Sequence, residues 1–435
     1  MPKISFMGAG STVFAKNVLG DSMMTPALSE STIALYDIDA ERLKESAMML
    51  ENINRNNGSK ARIESYLGVE NRKKALRGAD YVVNTIQVGG YDPCTITDFE
   101  IPRKYGLRQT IADTLGVGGI FRALRTIPVV LDFARDMEEV CPDAWMLNYA
   151  NPMAMLSGAV LQMSPIKFVG LCHSVQVCCP MLFEGLGMPY DDRVQSKIAG
   201  INHQAWLLEV TRDGKDLYPE IKQKAAARAG KHNDMVRYEI MKRFGYYVTE
   251  SSEHTSEYTP YFIKDKYPGL IERFNIPLDE YPRRCVEQIR QWNERRDELV
   301  HNHQLTHERT HEYASYIMEA METNKPYKIG GNVLNTGLIT NLPRNAVVEV
   351  PCLVDKSGVN PTYIGDLPEQ CAALNRTNIN VQLLAIEAAK TLKKDYIYQA
   401  ALMDPHTAAE LSIDDIVAMC DDLLQAHQGW LPAFH

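Results

Sequence analysis

The stretch "FMGAGSTVF", residues 6–14, closes an apolar run and places two glycines, Gly8 and Gly10, just after it. A glycine pair between a strand and a helix lets the backbone turn tightly and approach a pyrophosphate, which then sits on the helix N-terminus. Val13 stands where the usual pattern has a third glycine, so the motif alone is weak. We predict a dinucleotide-binding turn here, with an ordinary strand–helix turn as the alternative.

The next apolar run supports this prediction, because it ends at an acidic residue. Residues 32–36 are predicted to form a strand, and Asp37 follows them. An acidic side chain at this point hydrogen-bonds a ribose hydroxyl, which favours NAD over its phosphorylated form. Asp39 is the rival for this contact, although its position also suits a helix N-cap.

Short apolar runs alternate with helical patterns over the first half of the chain, as in βαβ units. The predicted strands are residues 4–7, 32–36, 80–86, 145–147 and 166–171, and helical periodicity covers residues 41–55 and 123–140. The second half mixes a strand at residues 346–350 with a long helix at residues 372–392. Ser412 with Asp415 predicts a capping box for a last helix.

These patterns predict an α/β protein in two parts. Residues 1–195 are expected to form a Rossmann-like, doubly wound parallel sheet of the kind found in lactate and malate dehydrogenases. Residues 196–435 are expected to form an α+β domain for substrate, metal and oligomerisation.

Polar side chains collect at the carboxyl ends of the predicted strands. They are Asp37, Asn84, Thr85, Asn148 and Cys172. Ligands of open α/β sheets bind in the crevice outside those ends, so a site is predicted there. Asn148 and Asn151 are candidates to donate to substrate hydroxyls or to a cofactor, with an Asx-type turn as the alternative for Asn151.

Composition limits the classes of partner and the compartment. The chain has 435 residues and a formal net charge of −9, which argues against nucleic acid or an anionic membrane surface. No apolar run reaches the ~18 residues of a membrane span, and no export signal is visible. Nine cysteines without framework spacing predict a reducing cytoplasm, with Cys178 and Cys179 as packed thiols.

A second glycine cluster lies in "DTLGVGGIFRALRTIP", residues 113–128, where Gly116, Gly118 and Gly119 precede a helical pattern. No strand comes directly before it, so a second dinucleotide turn is not expected. Two interpretations stay open, a mobile loop over the site and a flexible connection.

Cys172 in "GLCHSVQ" and His203 in "GINHQAW" offer a thiolate and an imidazole for a divalent metal. Two protein ligands leave positions open for substrate and water, which suits catalysis. No C-x-x-C or H-x-x-x-H spacing reinforces the pair, so a buried thiol and a satisfied histidine are the alternative. His173 would point away from Cys172, which makes it a candidate acid or base rather than a ligand.

Taken together, the motifs resemble glycoside hydrolase family 4, and most closely its α-galactosidase branch. The resemblance spans essentially the whole chain. It is carried, in order, by "ISFMGAGSTVF", "LYDID", "DTLGVGGIFRALRTIP", "NYANPM", "GLCHS", "GINHQAW", "SEYTPYF", "NTGLITNLPRNAVVEVPC" and "ALMDPHT". Several long motifs in the same order are far more specific than any one of them.

The resemblance implies an NAD- and metal-dependent glycosidase, usually with manganese, outside the common two-carboxylate scheme. It implies that NAD takes a hydride from C3 of the sugar, that the metal polarises the ketone, and that a tyrosinate removes the C2 proton. The aglycone then leaves by elimination, water adds and the hydride returns. The implied substrate is a small oligosaccharide, an α-galactoside such as melibiose, and the implied assembly is a homodimer or homotetramer.

The resemblance also implies roles for individual residues. The metal ligands would be Cys172 and His203, the cofactor contacts Gly8, Gly10, Ser11, Asp37 and Asn84, and the substrate contact Asn148. Tyr258 best matches the catalytic base, with Tyr261 as the alternative. Members that act on phosphorylated sugars carry an aspartate acid after the metal-binding cysteine. This chain has His173 there, so either His173 is the proton donor or the donor lies elsewhere.

Other activities stay open on the sequence alone. The α-glucosidase and α-galacturonidase branches share most of these motifs. A plain NAD-dependent dehydrogenase and a non-catalytic NAD-binding sensor are the alternatives from other functional classes.

Overall fold

Six parallel strands form the first half of the sheet in the computed structural model, which describes residues 1–435. They are β1 (Lys3–Met7), β2 (Thr32–Asp37), β3 (Arg62–Leu67), β4 (Tyr81–Asn84), β5 (Trp145–Asn148) and β6 (Lys167–Leu171). Their order is β3-β2-β1-β4-β5-β6, the doubly wound arrangement, so the predicted fold class is confirmed. Sequence patterns missed β3, whose residues are half-buried or exposed and show no continuous apolar run.

Helices cover both faces of these strands. They are α1 (Thr12–Met24), α2 (Ala40–Asn56), α3 (Arg72–Leu76), α4 (Ile96–Lys104), α5 (Gly116–Val140), α6 (Met153–Met163) and α7 (Ser174–Gly185). Alternate strand residues enter two different cores: Phe6 and Val83 lie in one, whereas Met7 and Val82 lie in the other. This alternation buries the strands on both sides, as parallel sheets require.

The second half extends the same sheet with antiparallel strands. They are β7 (Val194–Ile201), β8 (Gln204–Arg212), β9 (Lys215–Asp216), β10 (Tyr247–Val248), β11 (Tyr327–Leu334), β12 (Val347–Asp355) and β13 (Gly358–Pro361). β11 joins the halves by pairing Gly331 with Leu171 of β6. The division expected at residues 195/196 falls inside β7, and the sheet continues across it.

The remaining helices surround this extension. They are α8 (Tyr218–Ala227), α9 (Met235–Phe244), α10 (Ser252–Glu257), α11 (Gly269–Arg273), α12 (Glu280–Val300), α13 (Ala314–Thr323), α14 (Glu369–Thr391), α15 (Lys394–Met403), α16 (Pro405–Glu410) and α17 (Ile413–Ala426). Ser412 caps the last helix as predicted, since its hydroxyl accepts from the Asp415 backbone N–H at 3.1 Å. In place of the reciprocal bond of a capping box, the Ser412 hydroxyl donates to the Asp415 carboxylate at 2.7 Å. No helix is both long and apolar enough to span a bilayer.

The second glycine cluster is neither a mobile loop nor a flexible connection, so both interpretations were wrong. Gly116, Gly118 and Gly119 are buried in the first turn of α5. A Cβ on Gly118 would lie 2.7 Å from the Ala112 carbonyl oxygen, and one on Gly119 would lie 2.7 Å from the Thr114 backbone. The glycines therefore let this helix start pack directly on the segment before it.

All nine cysteines are free. Cys178 and Cys179 are buried in the core between α7 and the antiparallel strands. The expectation of packed thiols at these two positions is confirmed.

Candidate active site

The turn after β1 has the backbone that the glycine pair predicts. Gly8 has φ +92°, and a Cβ there would lie 3.0 Å from the Thr85 hydroxyl oxygen. The Gly10 N–H donates to Asp37 Oδ2 at 2.6 Å, and a Cβ on Gly10 would approach that oxygen to 2.8 Å. Both positions therefore exclude a side chain, and the turn brings Asp37 to the start of α1.

Asp37 and Asp39 have different surroundings. The Asp39 carboxylate accepts from the backbone N–H groups of Glu41 and Arg42, both at 3.0 Å, and so caps α2. Asp37 instead lies beside the glycine turn, half-buried at the end of β2. Of the two candidates, Asp37 is the one whose carboxylate lies where a dinucleotide ribose would be expected.

The first turn of α1 keeps its backbone donors free of side-chain caps. Ser11 stands at the N-cap without capping the helix, and its hydroxyl lies 3.2 Å from that of Thr85. Val13, in place of the third glycine, is 44% exposed, so it does not fill the turn. Uncapped N–H groups at the start of this 13-residue helix fit the pyrophosphate of a dinucleotide.

Asn84 and Asn148 meet at the carboxyl ends of β4 and β5, where they are direct partners. Asn84 Nδ2 donates to Asn148 Oδ1 at 2.8 Å, and Asn148 Nδ2 donates to the Ala150 carbonyl at 3.1 Å. Both side chains are fully buried, and Asn84 Oδ1 has no partner. The pair lies at the predicted edge of the sheet but beneath its surface. Asn151 donates to Asp113 Oδ2 at 3.2 Å.

Three side chains with possible metal ligands converge next to this edge. Cys172 Sγ, a ring nitrogen of His203 and a carboxylate oxygen of Glu250 all lie within 4.8 Å of one another. Cys172 follows β6, His203 occupies the β7–β8 turn and Glu250 lies two residues after β10. The structure brings the two predicted ligands together and adds a third donor that the sequence did not reveal.

The pKa directions in this donor cluster (Cys172, His203 and Glu250) reflect its burial and its charged neighbours. Burial, followed by the charges of Glu349 and Glu250, raises the pKa of the Cys172 thiol well above its usual value. Burial also raises the pKa of Glu349, to about 7. For Glu250, burial opposes ionisation, but the charges of His203 and His254 outweigh it and lower the pKa. A divalent ion would stabilise the thiolate that burial disfavours.

The donor set fits a borderline divalent metal. Sulfur, imidazole nitrogen and carboxylate oxygen together suit first-row ions such as Zn²⁺, Fe²⁺ and Mn²⁺. Three neighbouring buried polar atoms have no hydrogen-bond partner: His254 Nε2 and both side-chain atoms of Asn202. Unpaired buried polar groups are rare in proteins, and these belong to the residue next to His203 and to a histidine that packs against the His203 ring.

Tyr258 reaches the donor cluster, whereas Tyr261 does not. The Tyr258 hydroxyl lies 3.4 Å from His203 Nδ1, and the residue is buried. Burial, and then the charges of Asp113, Glu257 and Glu250, raises its pKa well above the usual value. Tyr261 is 46% exposed and stacks on Phe244.

His173 points away from the donor cluster. Its Nε2 lies 2.8 Å from Glu312 Oε2, and the Tyr149 hydroxyl donates to the other oxygen of Glu312 at 2.7 Å. The ring stacks on Tyr149 and meets the edges of Tyr313 and Phe14. About half of the side chain stays exposed. His173 is therefore a fixed, partly accessible imidazole between α1 and the end of β5.

Several charged residues of the site carried no sequence signal. Asp113 accepts from the Thr114 hydroxyl at 2.7 Å and lies 3.6 Å from His254 Nε2. Arg122 is buried nearby, where it donates to the Asn151 carbonyl at 3.3 Å and to the Tyr281 hydroxyl at 3.1 Å. Such single acidic, basic and histidine residues show no spacing that distinguishes them from surface positions.

Glu257 is a further acid that the sequence did not reveal. Its buried carboxylate accepts the backbone N–H groups of Thr110 and Ala112, both at 2.9 Å, and that of Ile111 at 3.3 Å. Burial outweighs these bonds and raises its pKa. The carboxylate fixes the segment that leads to Asp113.

Comparisons with known proteins agree on one family. A family model described as Family 4 glycosyl hydrolase matches residues 3–188, and the model of its C-terminal domain matches residues 198–407. The chain is 63% identical over 435 residues to an alpha-galactosidase of Bacillus subtilis (strain 168), with 100% of each chain covered. It is 36% identical to an alpha-galactosidase of Rhizobium meliloti (strain 1021), covering 99% of this chain and 89% of that one.

A solved structure shares the fold. The 6-phospho-beta glucosidase of Thermotoga maritima, determined with manganese, NAD+ and glucose-6-phosphate, matches with a TM-score of 0.78 at 21% identity. The match covers 99% of this chain and 100% of that one.

Proposed function

The chain belongs to glycosyl hydrolase family 4, and from this premise we propose that it hydrolyses α-galactosides such as melibiose with NAD and a divalent metal, Mn²⁺ by preference. Identity of 63% over the whole length to an alpha-galactosidase supports the sugar. The observation that carries the chemistry is the convergence of Cys172, His203 and Glu250 at the sheet edge that also holds the glycine turn.

The glycine turn would hold NAD. We assign Gly8, Gly10 and Ser11 to the pyrophosphate, Asp37 to a ribose hydroxyl and Asn84 to a further contact at the end of β4. Cys172 and His203 would hold the metal. When bound, NAD supplies a reversible hydride acceptor and the metal supplies a Lewis acid for the sugar oxygens.

Tyr258 is our candidate for the base that takes the proton from C2 of the sugar. Its hydroxyl lies 3.4 Å from His203 Nδ1, whereas Tyr261 is half-exposed and stacks on Phe244. A base must lie within hydrogen-bond reach of the proton it removes, so it must border the metal-held sugar.

His173 is our candidate for the proton donor to the leaving oxygen. Glu312 holds its Nε2, so Nδ1 is the ring atom left for exchange with the crevice. Asn148 is our candidate for a contact with a substrate hydroxyl. To make it, the Asn148 side-chain N–H would have to leave the Ala150 carbonyl and donate to the hydroxyl instead.

We further propose a two-part organisation, an oligomer and a cytoplasmic location. Residues 1–195 would bind NAD, and residues 196–435 would complete the substrate and metal site. Val286 and Ile289, three residues apart on α12, are 54% and 44% exposed, and another copy in a homodimer or homotetramer would cover them. Nine free cysteines suit a reducing compartment.

A panel of nitrophenyl α- and β-glycosides, assayed with NAD, Mn²⁺ and a thiol reductant, tests this function. Release from the α-galactoside without net NADH is expected. Faster release from an α-glucoside or α-galacturonide would reassign the sugar. Net accumulation of NADH would mean a dehydrogenase, and NAD binding without turnover of any glycoside would mean a sensor.

A further inference from the structure

Two residues of the donor cluster have a left-handed backbone although neither is glycine. His203 has φ +62° and Glu250 has φ +67°. A residue with a Cβ adopts this conformation at a cost, and it persists only where the surrounding structure enforces it. Two of the nine non-glycine residues with positive φ therefore lie in the donor cluster.

Strand pairing brings these two residues together. Val248 of β10 pairs with Trp206 of β8, and beyond them the Thr249 N–H donates to the Ala205 carbonyl at 2.8 Å. The Thr249 hydroxyl accepts the Ala205 N–H at 3.2 Å. The ladder ends there, and Glu250 turns out of it toward the β7–β8 turn that carries His203.

A buried arginine holds the backbone of Glu250. Arg237 of α9 donates one guanidinium N–H to the Glu250 carbonyl and another to the Asp234 carboxylate. The Tyr247 hydroxyl donates to the second Asp234 oxygen at 2.6 Å, and the guanidinium lies 4.7 Å from the centre of the Tyr247 ring. The side chains of Arg237 and Asp234 are 7% and 11% exposed. Such a planar fork can join a carbonyl and a carboxylate at once, which an ammonium group does less well.

The carboxylate that this arrangement presents makes no hydrogen bond. Glu250 Oε2 lies 3.5 Å from His203 Nε2, and Oε1 lies 3.7 Å from His254 Nδ1. Two ligands that share a metal at about 2.1 Å are about 3.0 to 3.4 Å apart in octahedral or tetrahedral geometry. The separation of His203 and Glu250 is close to that of two ligands on one ion.

We propose that Glu250 is a third protein ligand of the divalent metal, beside Cys172 and His203, and that Arg237 and Asp234 are positioning residues that hold it there. The inference rests on the metal site of the proposed function and deepens it. A carboxylate oxygen adds a hard ligand to the thiolate and imidazole, which favours Mn²⁺ over softer ions.

Mn²⁺ binding to the chelator-stripped full-length enzyme tests the ligand, with free Mn²⁺ measured by electron paramagnetic resonance. Glu250→Gln is expected to raise the Mn²⁺ Kd at least about tenfold, and Cys172→Ser at least as much. Glu239→Gln changes a partly exposed acid of α9 that pairs with Arg243, so it is the matched control and should bind Mn²⁺ like the wild type. Normal binding by Glu250→Gln beside loss in Cys172→Ser would overturn this inference alone. Normal binding by both would also remove the proposed metal site.

Two more variants test the positioning. Arg237→Lys keeps the charge but loses the fork, so the Mn²⁺ Kd should rise about tenfold while the NAD Kd stays unchanged. An equal loss of NAD affinity, or an unchanged Mn²⁺ Kd, would show a merely structural role and overturn it. Glu250→Gly removes the carboxylate, and glycine adopts φ +67° without strain. This variant should therefore bind Mn²⁺ as poorly as Glu250→Gln, but its metal-free Tm should be higher than that of Glu250→Gln. Equal Tm values would refute the claim that the strain is held for the metal.

Discussion

Replacing Gly10 by alanine is expected to weaken NAD binding through Asp37. The new Cβ would lie 2.8 Å from Asp37 Oδ2 and 3.1 Å from Arg42 Cβ. Ordinary contact begins at 3.4 Å, so the carboxylate must retreat by about 0.6 Å. That movement would lengthen the 2.6 Å bond from the Gly10 N–H to about 3.2 Å and would shift the proposed ribose ligand.

The size of the effect follows from the ribose hydrogen bond that the displaced Asp37 carboxylate would no longer make. A hydrogen bond to an ionised group contributes about 1.5–3 kcal/mol. Since 1.4 kcal/mol is a tenfold change, the NAD Kd should rise about 10- to 100-fold. In an Asp37→Ala background no carboxylate is left to displace, so adding Gly10→Ala should then cost less than about threefold.

Titration calorimetry of NAD binding to the wild type, both single variants and the double variant measures this coupling. Gly269→Ala is the matched control, because a Cβ there meets no atom within 4 Å. The reasoning is refuted if Gly10→Ala weakens NAD binding by the same factor with and without the Asp37 carboxylate.

Three further predictions concern the metal, the start of α5 and acid stability. Cys172→Ser, or removal of metal by a chelator, should abolish glycoside hydrolysis and leave the NAD Kd nearly unchanged; a matching loss of NAD binding would contradict this. Gly118→Ala would place a Cβ 2.7 Å from the Ala112 carbonyl and should destabilise the fold by about 1–3 kcal/mol in urea unfolding; an unchanged midpoint would contradict this. Burial opposes ionisation of Asp21, but hydrogen bonds from His307 and Thr310 outweigh it and lower its pKa. The ionised Asp21 carboxylate therefore stabilises the folded state above its unfolded pKa of about 4, and this stabilisation is lost as pH falls through its folded pKa. In acid unfolding curves, Asp21→Asn should therefore lose less stability over that pH range than the wild type.

Local sequence signals were enough for five of the six parallel strands. Continuous apolar runs mark β1, β4 and β6, because these strands are buried on both faces. The outer strand β3 lacks such a run and was missed. The glycines of α5 were assigned to a loop. Their close contact with residues 112–114 explains why glycine is needed there, and that contact exists only in the folded chain.

The candidate site shows the same limit. Cys172 and His203 could be proposed from residue type alone, but Glu250 could not, because its place depends on the pairing of β10 with β8. The left-handed backbone of Glu250 could not be predicted from the sequence either, because glutamate rarely adopts positive φ. Tyr258 and Tyr261 are three residues apart, and only the packing at the end of α10 shows which one faces His203.

Hydrolysis through a transient oxidation is tested most directly with a nitrophenyl α-galactoside in deuterium oxide, using metal-loaded enzyme with and without NAD. Cleavage is expected only with NAD, without net NADH, and the released galactose should carry deuterium at C2. Undiminished cleavage by NAD-free enzyme, with no label at C2, would contradict the proposed route.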